Sequence, residues 1–417
     1  MKLAALFLTT SLVAAAQNLS AARALTVAIN AGVEGDGLKA AAARYQKLTG
    51  TEIQISEFPY NNLYSKILLG LSGSPSPFDV VMIDDPWFPK LAEQYLLEDL
   101  TPYYKQKKLD GPDSDFVPAS RALGRFPYGK GRLHALPFVG NCKMFFYRKD
   151  ILKKYGFDAP KTWFEVVDFS KKIMAKEPSL YGYAMRGEKG NPIVVNFLPV
   201  LWAFGGDLLD QDGKIVLNSA QAIEALKFYV GPLKSVAPKG VENFNADQVA
   251  SLQLQGQLLM ATNWPAWIAT FNDPNQSKVV GKMEFGSLPG AQKPGRSVIG
   301  NWLVGVARNS DQKARAFEFI HWLTGKEEQR INALETGNPP TRVSVYNDKE
   351  LLRKNPHYPA QLKALSSSKP RPRTPRWMEI ENVLGIHLSQ ALIGQVTPEQ
   401  ALGAAEVAIS QILTRGR

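Results

Sequence analysis

Two rhythms of apolar and polar residues alternate along this chain. Leu25 to Asn30 is a short apolar run of strand length. After a Gly-rich turn from Gly32 to Gly37, Leu38, Ala41, Ala42, Tyr45 and Leu48 recur at helical spacing, and Gly50 stops the pattern. Glu52 to Phe58 alternates as a second strand. Asn61 or Asn62 can cap a helix whose stripe is Leu63, Ile67, Leu68 and Leu71. Phe78 to Asp84 is a continuous apolar strand, as found where both faces of a parallel sheet are covered. This β-α-β-α-β order predicts a doubly wound α/β lobe.

A second run of this kind starts near Leu136. Thr162-x-x-Glu165 is a capping box that opens an amphipathic helix from Trp163 to about Lys176. Helical patterns follow at Ala220–Val230 and Asp247–Gln255, then strands at Leu258–Thr262, Met283–Ser287 and Val298–Ala307. The C-terminal part is mostly helical, over Asp311–Leu323, Trp377–Leu392 and Pro398–Leu413. Ser366 to Arg376, rich in Ser, Pro and Arg, predicts an ordered but irregular loop.

The start of the chain changes the picture. Lys2, the apolar run Leu3 to Ala16 and the small-x-small triplet Ala22-Arg23-Ala24 are the parts of a secretory signal, with cleavage expected after Ala24. Gln17-Asn18 interrupts the run before it reaches a spanning length. No cysteine follows it, so no lipid anchor is expected, and the periplasm is the expected compartment. Losing Lys2 and Arg23 lowers the formal charge from +11 to +9. The single cysteine, Cys142, excludes an internal disulfide framework and a Cys-based metal cluster. The 417 residues suggest two to three domains.

Several chemistries compete for the polar residues. Gly35-Asp36-Gly37-Leu38-Lys39-Ala40 fits a dinucleotide turn with Glu57 as ribose acid, but Glu34 and Asp36 would face a pyrophosphate, so helix-start glycines are the preferred reading. The histidines at 134, 321, 357 and 387 are too scattered for a ligand set, and no metal is expected. Asp84-Asp85 ends an apolar strand, where α/β sheets bind ligands: one carboxylate would cap the helix after Pro86, the other would accept ligand hydroxyls. Trp87, Trp264, Trp267, Trp302 and Trp377 sit at strand ends or turns, where indole faces can stack on sugar rings. Arg371, Arg373 and Arg376 are the one concentrated basic group. They suit a small anion better than nucleic acid, which export makes an unsuitable partner.

These blocks together carry a resemblance. Phe78 to Trp87 with Leu96 to Leu100, then Leu133 to Pro137, Phe146 to Asp150, Pro160 to Glu165, Phe204 to Gly206, Gly337 to Arg342 and Gly394 to Ala401 resemble, in order, the family 1 extracellular solute-binding proteins, periplasmic receptors of carbohydrate ABC importers. Tyr95 stands where that family usually has glycine.

The resemblance implies a type II periplasmic-binding-protein fold: two doubly wound α/β lobes, a hinge and a ligand cleft between them. One lobe would hold residues 25–137 and 281–336, the other 138–280 and 337–417. It further implies a monomer that captures a sugar, oligosaccharide or polyol by hinge closure and hands it to permease subunits, with no cofactor and no catalysis. An anionic sugar derivative at Arg373 is the second reading, and a secreted oxidoreductase or glycosidase a remote one. The implied ligand residues are Asn30, Glu34, Asp36, Tyr60, Asn61, Asp84, Asp85 and Trp87 on one side. Gly190, Asn191, Trp264, Trp267, Arg373 and Trp377 face them, and Asn301 and Trp302 lie near the hinge.

Overall fold

A computed structural model describes residues 23–210 and 212–415; the apolar run of the expected leader lies outside them. Along these residues run β1 (Leu25–Asn30), β2 (Ile53–Phe58), β3 (Val80–Asp84), β4 (Arg125–Phe126), β5 (Arg132–Leu133), β6 (Ala135–Val139), β7 (Met144–Arg148), β8 (Tyr181–Ala184), β9 (Leu258–Asn263), β10 (Met283–Gly286) and β11 (Trp302–Val306). The first sheet has the order β2-β1-β3-β11-β6, the second β10-β7-β9-β8. β1 pairs in parallel with β2 and β3, as the opening β-α-β-α-β rhythm predicts, and β11 lies antiparallel between β3 and β6. In the second sheet only β8 and β9 are parallel. Two large apolar cores form, one around the first sheet that also takes in Phe146 of β7 and Phe285 of β10, the other including Phe145 of β7, Tyr183 of β8 and Leu259 of β9. β3 and β9 are buried along their whole length.

Local signals were accurate where a cap or stop is written into the chain. The Thr162 hydroxyl accepts the Glu165 amide at 3.1 Å while Glu165 accepts the Thr162 amide at 3.0 Å, opening the helix Trp163–Met174. Two helices begin earlier than their apolar stripes suggest. The first runs Val33–Thr49, so the glycines lie in its first turns and not in a preceding loop. A Cβ on Gly35 would stand 1.8 Å from the Asn30 carbonyl oxygen, and that close approach of helix start to strand end explains the Gly-x-Gly without a nucleotide. The second runs Tyr60–Leu71 after Pro59, which leaves Asn61 and Asn62 inside the helix and exposed, with no side-chain cap.

The chain crosses between the sheets three times, and the crossings lie side by side. Gly140–Lys143 leads from β6 to β7, Val298–Asn301 returns to β11, and Ser368–Arg376 leads to the helix Trp377–Leu392. Isolated bridges join Cys142 to Ile299 and Val298 to Lys369. The Lys143 amide donates to Val298 at 3.0 Å, Gly300 to Asn141 at 2.9 Å and Ile299 to Lys369 at 3.1 Å. A three-stranded hinge thus sits at the base of the cleft.

Two segments lie with the other sheet from the one expected. The resemblance puts residues 281–286 in the first lobe, yet β10 is hydrogen-bonded antiparallel to β7 of the second sheet from Met283 to Gly286. Residues 337–366 were placed with the second lobe. Instead Arg342 bridges to Phe116, the Val117 amide donates to Thr341 at 2.9 Å, and Val345, Tyr346 and Leu365 enter the first core. Strand pairing decides the first case and apolar side-chain partners the second, and a strand pattern read alone does not name its partners.

Candidate functional site

The carboxyl ends of β1 and β3 and the hinge meet at one cleft. Asn30 ends β1, Asp84 ends β3, and Trp302 opens β11 directly across from Asp84. Glu34 and Asp36 project from the first turn of the helix Val33–Thr49, and Tyr60 begins the helix Tyr60–Leu71. From the second sheet come Arg186 beyond β8, Asn191 at the start of the helix Asn191–Ala203, Asn245 capping the helix Ala246–Leu254, and Trp264 and Trp267 beyond β9. Asn141, Gly300 and Arg371 come from the three crossings. These residues line a single cavity of about 570 Å³.

A buried ionic cluster forms its floor. Tyr60 donates its hydroxyl to Asp84 at 2.8 Å, and the Arg371 guanidinium donates to both Asp84 and Asp85 at 3.0 Å. Burial works against the Arg371 charge, but the two carboxylates outweigh it and hold the group above its ordinary value. Burial pushes Asp85 up to about 6, against the pull of Arg371 and Arg373. Burial also raises Glu34, whose carboxylate accepts the Asn141 amide at 2.9 Å. Arg186 donates twice to the Asn245 side-chain oxygen, at 3.0 and 2.6 Å.

One wall is a fixed aromatic platform. The Lys143 ammonium lies 4.4 Å from the centre of the Trp264 ring and donates to Asn196 at 3.1 Å. Gly300 lies against the same indole: a Cβ there would stand 2.5 Å from two ring carbons. Burial, then the charges of Arg186 and Arg371, push Lys143 well below the usual lysine range. Trp302 adds a second indole, packed edge-on to Tyr60 at 6.0 Å and to Trp87 at 5.7 Å.

Of the residues singled out in the sequence, Asn30, Glu34, Asp36, Tyr60, Asp84, Asn191, Trp264, Trp267 and Trp302 line this cavity. The other seven lie elsewhere, each for a packing reason. Asn61 faces solvent on its helix. Trp87 is buried behind Tyr60 and Trp302. Asp85 is fully buried beneath the floor, and neither it nor Asp84 caps the helix Phe88–Glu93, whose start has no side-chain cap. Arg373 spends both terminal nitrogens, Nη1 on the Asp85 carboxylate at 2.9 Å and the Asp85 carbonyl and Nη2 on the Leu123 carbonyl, and its Nε is buried, so it presents no fork to a ligand. Asn301 is spent on the hinge, donating to the Asn141 carbonyl at 2.9 Å. Gly190 precedes the Asn191 helix, and Gly385 approaches so closely that a Cβ there would stand 2.6 Å from the Gly190 Cα. Trp377 is fully buried in the second core.

Asn141, Arg186, Asn245, Asp247, Thr270, Gln276 and Arg371 are further polar residues of the lining. Asn245 could have been found, because Asn245-x-x-Gln248 is a capping box. Arg186 follows a strand end, the same position that drew attention to Asp84. For Asn141 the sequence holds no such signal, since its place depends on three crossings meeting.

Two α/β sheets joined by three adjacent crossings, with a polar and aromatic cleft at the hinge, define a two-lobed type II binding protein. The chain belongs to the bacterial extracellular solute-binding protein family, whose pattern it matches over residues 31–330. A probable ABC transporter-binding protein of Deinococcus radiodurans is 28% identical, with 99% of each chain covered. Maltose-bound MalE3 of T. maritima superposes with a TM-score of 0.85 at 30% identity, covering 93% of this chain and 99% of that one. A solute-binding protein of Agrobacterium radiobacter K84 in complex with ribitol gives 0.86 at 26% identity, covering 93% and 98%.

Proposed function

We propose that this chain captures a neutral sugar or polyol and delivers it to the permease of an ABC importer, with no bond made or broken. One observation carries the reading: carboxylates and amides that suit hydroxyl groups, Asp84, Asn30, Asn141 and Asn191 among them, line the same cavity as Trp264, Trp267 and Trp302. The volume of about 570 Å³ lies in the range for small-molecule sites and suits a polyol or a short saccharide. Relatives that hold maltose and ribitol support the same class. Engagement of both terminal nitrogens of Arg373 by Asp85 and Leu123 weakens the case for an anionic sugar at that residue. A ligand touching both walls binds the closed state better and shifts the population toward it, and the closed form is the one proposed to dock on the permease as a monomer. The leader pattern supports export to the periplasm.

Ligand released from freshly purified protein and identified by mass spectrometry tests the class. A thermal-shift panel should agree. A saccharide or polyol at a hundredfold its Kd stabilises by about 2.7 kcal/mol and raises the melting temperature, whereas amino acids and peptides do not. The opposite pattern refutes the reading. Gly300→Ala is expected to displace the Trp264 indole and weaken the identified ligand about tenfold, about 1.4 kcal/mol. Isothermal titration calorimetry of the two proteins measures it, and equal affinities would show that the indole face is not used.

A further inference from the structure

We propose that Arg23 stays in the mature protein, so that the export signal is cut on the amino-terminal side of Arg23 and not after Ala24. The inference rests on the export reading above. Asp79 is fully buried just before β3. It accepts the Thr26 amide at 2.9 Å and the Ser310 hydroxyl at 2.5 Å, and Arg23 supplies the cation, through a bidentate pair at 2.8 and 2.9 Å. A buried carboxylate that loses its cation is strongly destabilising, whereas an exposed pair is worth little.

Further contacts tie residues 23 and 24 to the start of the helix Lys313–Leu323. Arg23 also pairs with Asp311, Arg315 donates to the Arg23 carbonyl at 3.0 Å, and Gln312 donates to the Ala24 carbonyl at 3.2 Å. Hydrogen bonds to Asp79 and then Asp311 hold the Arg23 guanidinium above its ordinary value. A cut after Ala24 would remove all of these groups at once. Ser20-Ala21-Ala22 supplies the small-x-small pattern two residues earlier in the sequence. Hydrolysis of the Ala22–Arg23 amide leaves the carboxylate on the released leader and the α-ammonium on Arg23.

Two measurements decide it. The full chain is expressed with its own leader in a Gram-negative host, and the periplasmic protein is read by intact mass and N-terminal sequencing. A first residue at Arg23 or earlier supports the proposal, and Leu25 overturns it. Separately, chains beginning at Arg23 and at Leu25 are released from a cytoplasmic fusion and melted. The shorter is expected to melt roughly 5–10 °C lower, and equal melting temperatures would remove the physical basis of the proposal. Retention of the uncut chain in the cytoplasm would count against the export reading, while the melting comparison would still decide the role of Arg23.

Discussion

Arg371→Met is expected to lower stability by about 3–5 kcal/mol and to weaken the cleft ligand about a hundredfold. The guanidinium bonds Asp84 and Asp85 at once, and only 1% of its side chain is exposed, so no water replaces it. Methionine fills much of the volume but leaves Asp84 with Tyr60 and Asp85 with Arg373. Asp84 lines the cavity, so its carboxylate would also lose the orientation that hydroxyl recognition needs. A double-mutant cycle separates the two effects. Asp84→Asn in the Arg371→Met background removes a stranded charge, so the double variant should be less destabilised than the sum of the singles. Urea unfolding gives the stabilities and calorimetry the affinities. A loss below 1 kcal/mol for Arg371→Met would mean that water reaches the cluster and that it is an ordinary surface pair.

The same cluster shows what a sequence can and cannot disclose about such a site. Asp84-Asp85 stands out because it ends an apolar strand, and Arg371 and Arg373 stand out as a dense basic group, although 286 residues separate Arg371 from Asp85. Nothing local says that these four charges neutralise one another. An unpaired Arg373 suggests an anion site, and a paired one removes it. The indoles behave alike: Trp264 and Trp377 both follow the expected strand or turn, but one faces the cleft and the other fills the second core. The helix Asn191–Ala203 had no periodic signal at all, since Pro192 through Ala203 are buried on every side and Pro192 and Pro199 read as breakers. Patterning reports whether a residue is inside. It does not report which inside face meets another chain segment, and the hinge crossings set that here.

Glu381 provides the second large effect, a pH dependence with a definite sign. It lies on the helix Trp377–Leu392, 2% exposed, and accepts the Asn191 side-chain amide at 3.0 Å at the cleft wall. Burial pushes its carboxyl from 4.5 up to about 7, with Arg371 opposing the shift and Asp84 adding to it. Because the folded value lies above the unfolded one, the folded state holds a proton that the unfolded state has released between about pH 4.5 and 7. Stability therefore falls as pH rises through that window and levels off above it. The difference of 2.5 pH units, at about 1.36 kcal/mol each, sets the size at about 3 kcal/mol. Asp85, raised to about 6, slopes the same way at lower pH. Burial lowers His357 to about 4, which makes stability fall with acidification and opposes both. The clean measurement is thus the difference between wild type and Glu381→Gln, which keeps an acceptor for Asn191 and has no proton to exchange. That difference should grow by about 2.5 kcal/mol from pH 5 to pH 8 in favour of the glutamine protein. A difference that stayed flat across the window would place the Glu381 carboxylate in contact with enough water, or enough of the Arg371 charge, to ionise as an ordinary glutamate.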